Sequence, residues 1–177
     1  MLIEIRPTVA TDLSRLMGMD HSCSSEYVWQ VDLRREAGQV SVNLREVRLP
    51  RPVLVPYPRN AFALADEWNY KTAMLTATGP EPIGYVCWNA QSATDVVWVT
   101  DLAVAPEQRK RGVGMALLKT AESWALEHGS RMLFIETVAK NHPAIRMAQK
   151  LGFEFCGYND HYYANRDVAL FFGRSLK

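Results

Sequence analysis

The sequence predicts one α/β domain built on a mixed sheet, and three observations carry that prediction. A β-rich apolar run at 96–104 is followed by a helical pattern at about 112–128 and a second apolar run at 132–135. A strand–helix–strand order gives parallel strands joined by a right-handed crossover. The runs 72–78 and 82–90 flank Gly79-Pro80 and read as an antiparallel hairpin. Finally, 177 residues at 48% hydrophobic and 22% charged suffice for one domain with a real core and argue against disorder.

Each element follows from local pattern. Residues 2–6 alternate apolar and polar and predict a strand. Pro7 opens a short helix with Leu13, Leu16 and Met17 on one face. Residues 26–33 and 39–49 are rich in Val, Tyr and Trp and predict two strands around Gly38. Four prolines from Pro50 to Pro58 predict an extended, irregular segment. A short helix is expected at 60–68. In the helix after the long strand, Val113, Leu117, Ala121 and Trp124 line the inner face, and Gly129 is a natural stop. The run 132–135 is apolar throughout, as in a strand covered on both faces. Asn141 caps the next helix and Pro143 sits in its first turn. Ala144, Met147, Ala148 and Leu151 form its buried stripe, and Gly152 ends it. Residues 153–163 and 167–176 predict a closing hairpin. No repeat or low-complexity tract interrupts residues 1–177, which read as one unit.

Charge and cysteine usage exclude several functions. The formal net charge is +1, whereas a nucleic-acid binder carries a basic excess. No apolar run approaches the roughly 20 residues that span a bilayer, so no membrane partner is expected. The N-terminus lacks the basic and apolar regions of a signal peptide. Cys23, Cys87 and Cys156 are odd in number and far apart, which predicts reduced thiols and a cytoplasmic protein. The four histidines pair with no Cys or acid at ligand spacing, so no metal is expected.

The informative segment is Gln108-Arg-Lys-Arg-Gly-Val-Gly114, between a strand and a helix. A helix N-terminus presents unpaired N–H groups and partial positive charge, so it binds anions. Gly112 and Gly114 let backbone approach a diphosphate, and Arg109, Lys110 and Arg111 add positive charge. A P-loop needs GxxxxGK[ST], which is absent. A dinucleotide fingerprint starting at Gly112 fails at its third glycine, where Leu117 stands. The plain alternative is a tight turn with solvated cations.

At these residues the sequence resembles the GNAT family of N-acetyltransferases. Leu102-Ala-Val104, Pro106 and Arg109-x-x-Gly112-x-Gly114 match one signature of that family. Asn141-x-x-Ala144-Ile145 through Lys150-Leu-Gly-Phe153 matches a second. The resemblance covers roughly residues 72–160, and the pair of motifs in order is far more specific than either alone. The closing stretch from Gly157 to Phe172 looks, more loosely, like the streptothricin acetyltransferase branch. Residues 1–70 carry no assignable signature.

The resemblance implies a twisted, mostly antiparallel sheet with helices on both faces. Its parallel pair, holding 102–104 and 131–137, is splayed, and acetyl-CoA wedges into the splay. Backbone of Leu102, Ala103 and Val104 would hold the pantetheine and polarise the acetyl carbonyl, an oxyanion-type role. Backbone of Arg109, Lys110, Arg111, Gly112, Val113 and Gly114 would hold the diphosphate, and Asn141 the pantetheine arm. The chemistry implied is direct attack of a primary amine, which must first lose a proton to a base. Asp101, just before Leu102, is the first candidate base and Glu136 the second. The family often has a tyrosine where Ala148 stands, to protonate the departing thiolate. Tyr158, Tyr162 or Tyr163 on the closing hairpin would substitute, with Tyr163 the choice.

The acceptor is less legible. Tyr27, Trp29, Trp68, Trp88 and Trp98 supply aromatic area for core packing or for an amine. The proline segment 50–58 either borders the acceptor cleft or packs as a surface strap. Glu26, Asp32, Glu67 and Asp95 favour a cationic substrate or simply face water. The expected partner is a small-molecule amine. The alternatives are a protein N-terminus or lysine as acceptor, or a silent acyl-CoA sensor. A homodimer is left open.

Overall fold

A computed structural model describes residues 3–176. In chain order the elements are β1 (Glu4–Pro7), α1 (Ala10–Met17), β2 (Cys23–Glu36), β3 (Gln39–Val55), α2 (Leu64–Glu67), β4 (Ala73–Thr78) and β5 (Pro82–Gln91). Then follow β6 (Val96–Val104), α3 (Val113–Glu127), β7 (Met132–Val138), α4 (His142–Lys150), β8 (Glu154–Asn159) and β9 (Ala169–Ser175). Seven strands form one sheet in the order β1-β4-β5-β6-β7-β9-β8, while β2 and β3 form a separate ribbon. Among the described residues only β6 and β7 run parallel, because α3 returns the chain to the same end of the sheet. The mixed, mostly antiparallel sheet is as expected.

Helices cover both faces. Leu13 and Leu16 of α1 and Leu64 of α2 pack against Tyr85, Cys87 and Ala103. On the opposite face, Val113, Leu117, Leu118 and Ala121 of α3 join Ile145 and Ala148 of α4 over Val97, Val99, Leu133 and Ile135. Each fully buried Val, Leu or Ile side chain among these contributes about 1.5–3 kcal/mol. The ribbon lies beside α4: the Trp29 N–H donates to Ala139 O at 2.9 Å, and the Tyr27 and His142 rings sit 4.7 Å apart.

Several expectations needed revision. Residues 50–55 are not irregular: β3 runs on to Val55, pairing Val53 and Val55 with Ser25 and Cys23. Pro50 and Pro52 stand at exposed positions of this two-stranded ribbon, where a missing donor is tolerated. Only the stretch just after Val55 leaves the strand. Pro7 closes β1 rather than opening a helix, and α1 starts at Ala10. Leu2, placed in the first strand from sequence, lies outside the described residues. In α4, Ile145 and Ala148 are buried, while Ala144 and Met147 line a cleft. Trp124 does pack against the core as expected, its ring 5.4 Å from that of Trp88, and its other side stacks on His128 at 3.8 Å. The closing hairpin is shorter than predicted, with a loop over 160–168, and β9 inserts between β7 and β8.

Candidate active site

The parallel pair β6 and β7 is joined only from Val96↔Met132 to Val99↔Ile135. Beyond that point each strand follows a different neighbour. β6 stays paired with β5, from Asp101↔Cys87 to Val104↔Gly84. β7 stays paired with β9, from Glu136↔Phe171 to Val138↔Ala169. The register between β5 and β6 shifts at this place: Trp88 opposes Val99, Cys87 opposes Asp101, and Thr100 is left over. An extra residue of this kind bends its strand and increases its twist. The bulge at Thr100 therefore steers β6 away from β7. The result is a cleft of about 1190 Å³, lined by Asp101, Leu102, Ala103 and Val104 on one wall and by Ile135, Glu136, Thr137 and Val138 on the other. Backbone groups of 100–104 on the β7 side lose their strand partner there.

The N-terminus of α3 closes one end of the cleft. Gly112 is its cap residue and takes φ +86°, the left-handed region that glycine enters freely. At Gly114 a Cβ would stand 3.1 Å from Met147 Sδ and 3.7 Å from Leu102 Cδ2. The missing side chain thus lets the first turn of α3 pack close to both α4 and β6. A helix start with free N–H groups and close-approach glycines suits an anionic diphosphate. Lys110, Gly112, Val113 and Gly114 line the cleft at this end.

Arg109 is used differently from its two basic neighbours. Its guanidinium donates to Val104 O at 2.8 Å, Ser22 O at 2.6 Å and Asp20 O at 2.6 Å. Its backbone N–H donates to Pro106 O at 3.2 Å. The side chain clamps the end of β6 to the segment before β2. Arg111 reaches Gln108 Oε1 at 3.3 Å on the surface. Asn141 Oδ1 accepts the Ala144 N–H at 3.2 Å, so the expected helix cap is present, and Asn141 also borders the cleft.

The two carboxylates face each other across the split, each held by phenols. Asp101 Oδ2 accepts the hydroxyls of Tyr57 and, at 2.7 Å, Tyr85. Burial, and then the Asp101 charge, pushes both phenols well above their ordinary range, so both stay protonated donors. Glu136, with a side chain only 8% exposed, pairs with the Arg59 guanidinium. It also accepts Tyr162 at 3.0 Å and Tyr163 at 3.3 Å. The Arg59 guanidinium carbon lies 5.5 Å from the Tyr163 ring centroid, a cation–π contact. Burial and then Glu136 raise the Tyr163 phenol as well. Among the described residues no group of three or more His, Cys, Asp or Glu could hold a metal ion.

Asp101, Glu136 and Tyr163 are thus brought to one cleft, together with 102–104, the α3 start and Asn141. Tyr158 instead packs against the main core. Trp88 is fully buried and Trp98 stacks on Phe134 at 4.6 Å. Tyr57, Arg59, Tyr85 and His21 escaped the sequence reading. The first two sit just past the proline run, whose position over the split is a tertiary fact. A tyrosine and a histidine carry no spacing signal when their partner is distant in the chain.

A cleft opened at the carboxyl ends of parallel strands is where α/β enzymes take their ligands, and two hydrogen-bonded carboxylates with an anion-binding helix start at its end define an enzyme site for a diphosphate-bearing ligand. The chain belongs to the acetyltransferase (GNAT) family, whose model matches residues 42–153, and it is an acetyl-CoA-dependent N-acetyltransferase. It is 25% identical over 166 residues to a streptothricin acetyltransferase of Streptomyces lavendulae, covering 90% of this chain and 86% of that one. The crystal structure of a nourseothricin acetyltransferase superposes with a TM-score of 0.85 at 25% identity, covering 100% of both chains. A Bacillus anthracis protein solved in complex with acetyl coenzyme A has the same fold, with a TM-score of 0.77 at 21% identity and 99% of both chains covered.

Proposed function

We propose that this enzyme acetylates a primary amine of a small cationic molecule by direct attack. The observation that carries the reading is the pairing of Asp101 and Glu136 across the β6–β7 split beneath residues 57–59. The match to a streptothricin acetyltransferase along most of both chains supports a small-molecule acceptor.

Acetyl-CoA supplies an acetyl group activated as a thioester. The α3 start, with Gly112, Val113 and Gly114, holds its diphosphate. Backbone groups of Leu102, Ala103 and Val104 that β5 does not engage hold the pantetheine and donate toward the carbonyl oxygen, where negative charge grows. Asn141 borders the same arm. Asp101 takes the proton that the arriving ammonium must lose before it can attack. Glu136, already neutralised by Arg59, is the weaker candidate for that task. The phenol rings around it orient a cation instead, and Glu136 adds only the charge that Arg59 leaves uncompensated. Tyr163 keeps its proton, because burial makes it a weaker acid than usual. A thiol near pKa 8.5 outranks it as an acid. Tyr163 therefore assists the leaving sulfur by hydrogen bonding rather than by full proton transfer.

The test is acetyl-CoA consumption against a panel of small polyamines, aminoglycoside-like amines and peptides. Turnover confined to small cationic amines is expected. Acetylation of peptides alone would overturn the acceptor assignment.

A further inference from the structure

Hydrogen-bond arithmetic at Tyr85 leads further into the same site. His21 Nδ1 lies 2.8 Å from Met19 O, a carbonyl that only accepts. Nδ1 therefore carries a hydrogen. His21 Nε2 lies 3.2 Å from the Tyr85 hydroxyl, which itself lies 2.7 Å from Asp101 Oδ2. Tyr85 has one hydrogen to give. When Asp101 is ionised, Tyr85 gives that hydrogen to the carboxylate. When Asp101 carries a proton and Nε2 is bare, the carboxyl O–H donates to the Tyr85 oxygen and Tyr85 donates to Nε2. The proton can therefore pass from Asp101 to His21 with no heavy-atom movement.

We propose that His21, through Tyr85, is the outer end of a proton relay that clears Asp101 after each acetyl transfer. This rests on the reading of Asp101 as the base. The amine proton arrives at Asp101. The carboxyl O–H bond then breaks as its proton passes to the Tyr85 oxygen. At the same time Tyr85 yields its own proton to the Nε2 lone pair. The imidazolium releases that proton to water at the cleft, which His21 lines. One proton enters from the amine, one leaves to water, and Asp101 and Tyr85 are restored.

The surroundings fit this task. Tyr85 is fully buried and cannot exchange with water by itself. His21 is half-buried and reaches the opening. Arg109 grips the carbonyls on both sides of His21, those of Asp20 and Ser22, and fixes the ring's position. The Tyr57 ring packs 4.8 Å from His21 and the Tyr85 ring 5.8 Å. The charged groups around the imidazole are Asp20 beside it, Asp101 behind Tyr85, and Arg109.

The experiment compares wild type, His21→Ala, His21→Gln, Tyr85→Phe and Asp101→Asn, with an accepted amine, at low buffer concentration and then with added imidazole. His21→Ala should lose about tenfold in kcat, less than the roughly 10²–10⁴ of losing the base. Added imidazole should restore most of the His21→Ala rate and leave wild type and Tyr85→Phe unchanged. Acetyl-CoA affinity and melting temperature should stay near wild type in both His21 variants. A His21→Ala enzyme as fast as wild type, or slowed without rescue, beside a strongly impaired Asp101→Asn, overturns the relay alone. An Asp101→Asn enzyme at wild-type rate overturns the base assignment and the relay with it.

Discussion

Tyr57 and Arg59 stand two residues apart on the segment after β3, yet they hold carboxylates on opposite sides of the strand split. Tyr57 donates to Asp101 on β6, and Arg59 pairs with Glu136 on β7. One short segment thereby spans the gap that the bulge at Thr100 opens. The same segment makes the acids unequal: Glu136 is ion-paired with Arg59, whereas Asp101 is hydrogen-bonded by the phenols of Tyr57 and Tyr85.

Asp101→Asn should lower kcat by about 10²–10⁴, the usual scale of a lost general base. Acetyl-CoA affinity, measured by calorimetry, should stay near normal, since Asp101 lies outside the diphosphate end. A near-wild-type kcat would shift the base assignment to Glu136.

Removing the Arg59 charge should strengthen the negative field of the cleft. In Arg59→Met the stem is retained and Glu136 loses its cation. The KM for a cationic acceptor should fall several-fold at low salt, and the difference should shrink at high ionic strength as exposed charges are screened. Steady-state kinetics at two salt concentrations checks this. An unchanged KM at low salt would mean that Glu136 plays no part in attracting the acceptor.

At Gly112 a side chain meets no protein atom but must adopt φ +86° and enter the space before the α3 N-terminus. Gly112→Asp adds negative charge where the diphosphate is placed. Affinity for acetyl-CoA should drop by more than tenfold, on the order of 1.4 kcal/mol or more. Calorimetry on the folded variant decides it.

Ala148 should not be replaceable by the tyrosine common in the family. It is fully buried and packs in the core with Ile145 and Phe153, so Ala148→Tyr overfills that space by about 1–3 kcal/mol. A lower melting temperature without a gain in kcat is expected. Tyr163→Phe should slow kcat only several-fold, in keeping with a hydrogen-bonding role. A loss of a hundredfold or more would restore Tyr163 as a full proton donor.

Asp12 should stabilise the fold in a pH-dependent way. Its carboxylate accepts Arg6 at 2.7 and 2.8 Å and caps the Val9 N–H at 3.1 Å. The Arg6 hydrogen bond holds its pKa below the ordinary carboxylate value. A lowered folded pKa means stability that is complete above the unfolded pKa and lost as pH falls through the folded one. Asp12→Asn should therefore cost about 1 kcal/mol near neutral pH, the scale of a helix cap. Urea titration should show that gap closing in acid, below the ordinary carboxylate range.

Some of this was legible before any coordinates. The order of strand, helix and strand over 96–136 fixed the parallel pair, because a connection of that length through a helix has one favoured handedness. Gly112 and Gly114 marked the helix start because few residues serve a left-handed cap or a close approach. Asp101, just before Leu102, and Glu136, late in the facing strand, stood out as candidates beside a recognisable motif, and both line the cleft. Periodicity faltered where a helix face meets a cleft rather than the core, as at Ala144 and Met147.

What the sequence by itself determined, then, is what local rules encode: element type, the mixed sheet, and the residues beside the cofactor motif. Only the tertiary structure decided how the acids are partnered. Tyr57 lies 44 residues from Asp101, Arg59 lies 77 from Glu136, and His21 lies 64 from Tyr85. Contacts at such separations leave no repeat or spacing in one sequence, because they depend on where β3 ends and how far β6 bends. The physical reason is that backbone propensity acts over a few residues, whereas a carboxylate's chemistry is set by whichever charges and donors the whole fold brings within hydrogen-bonding reach.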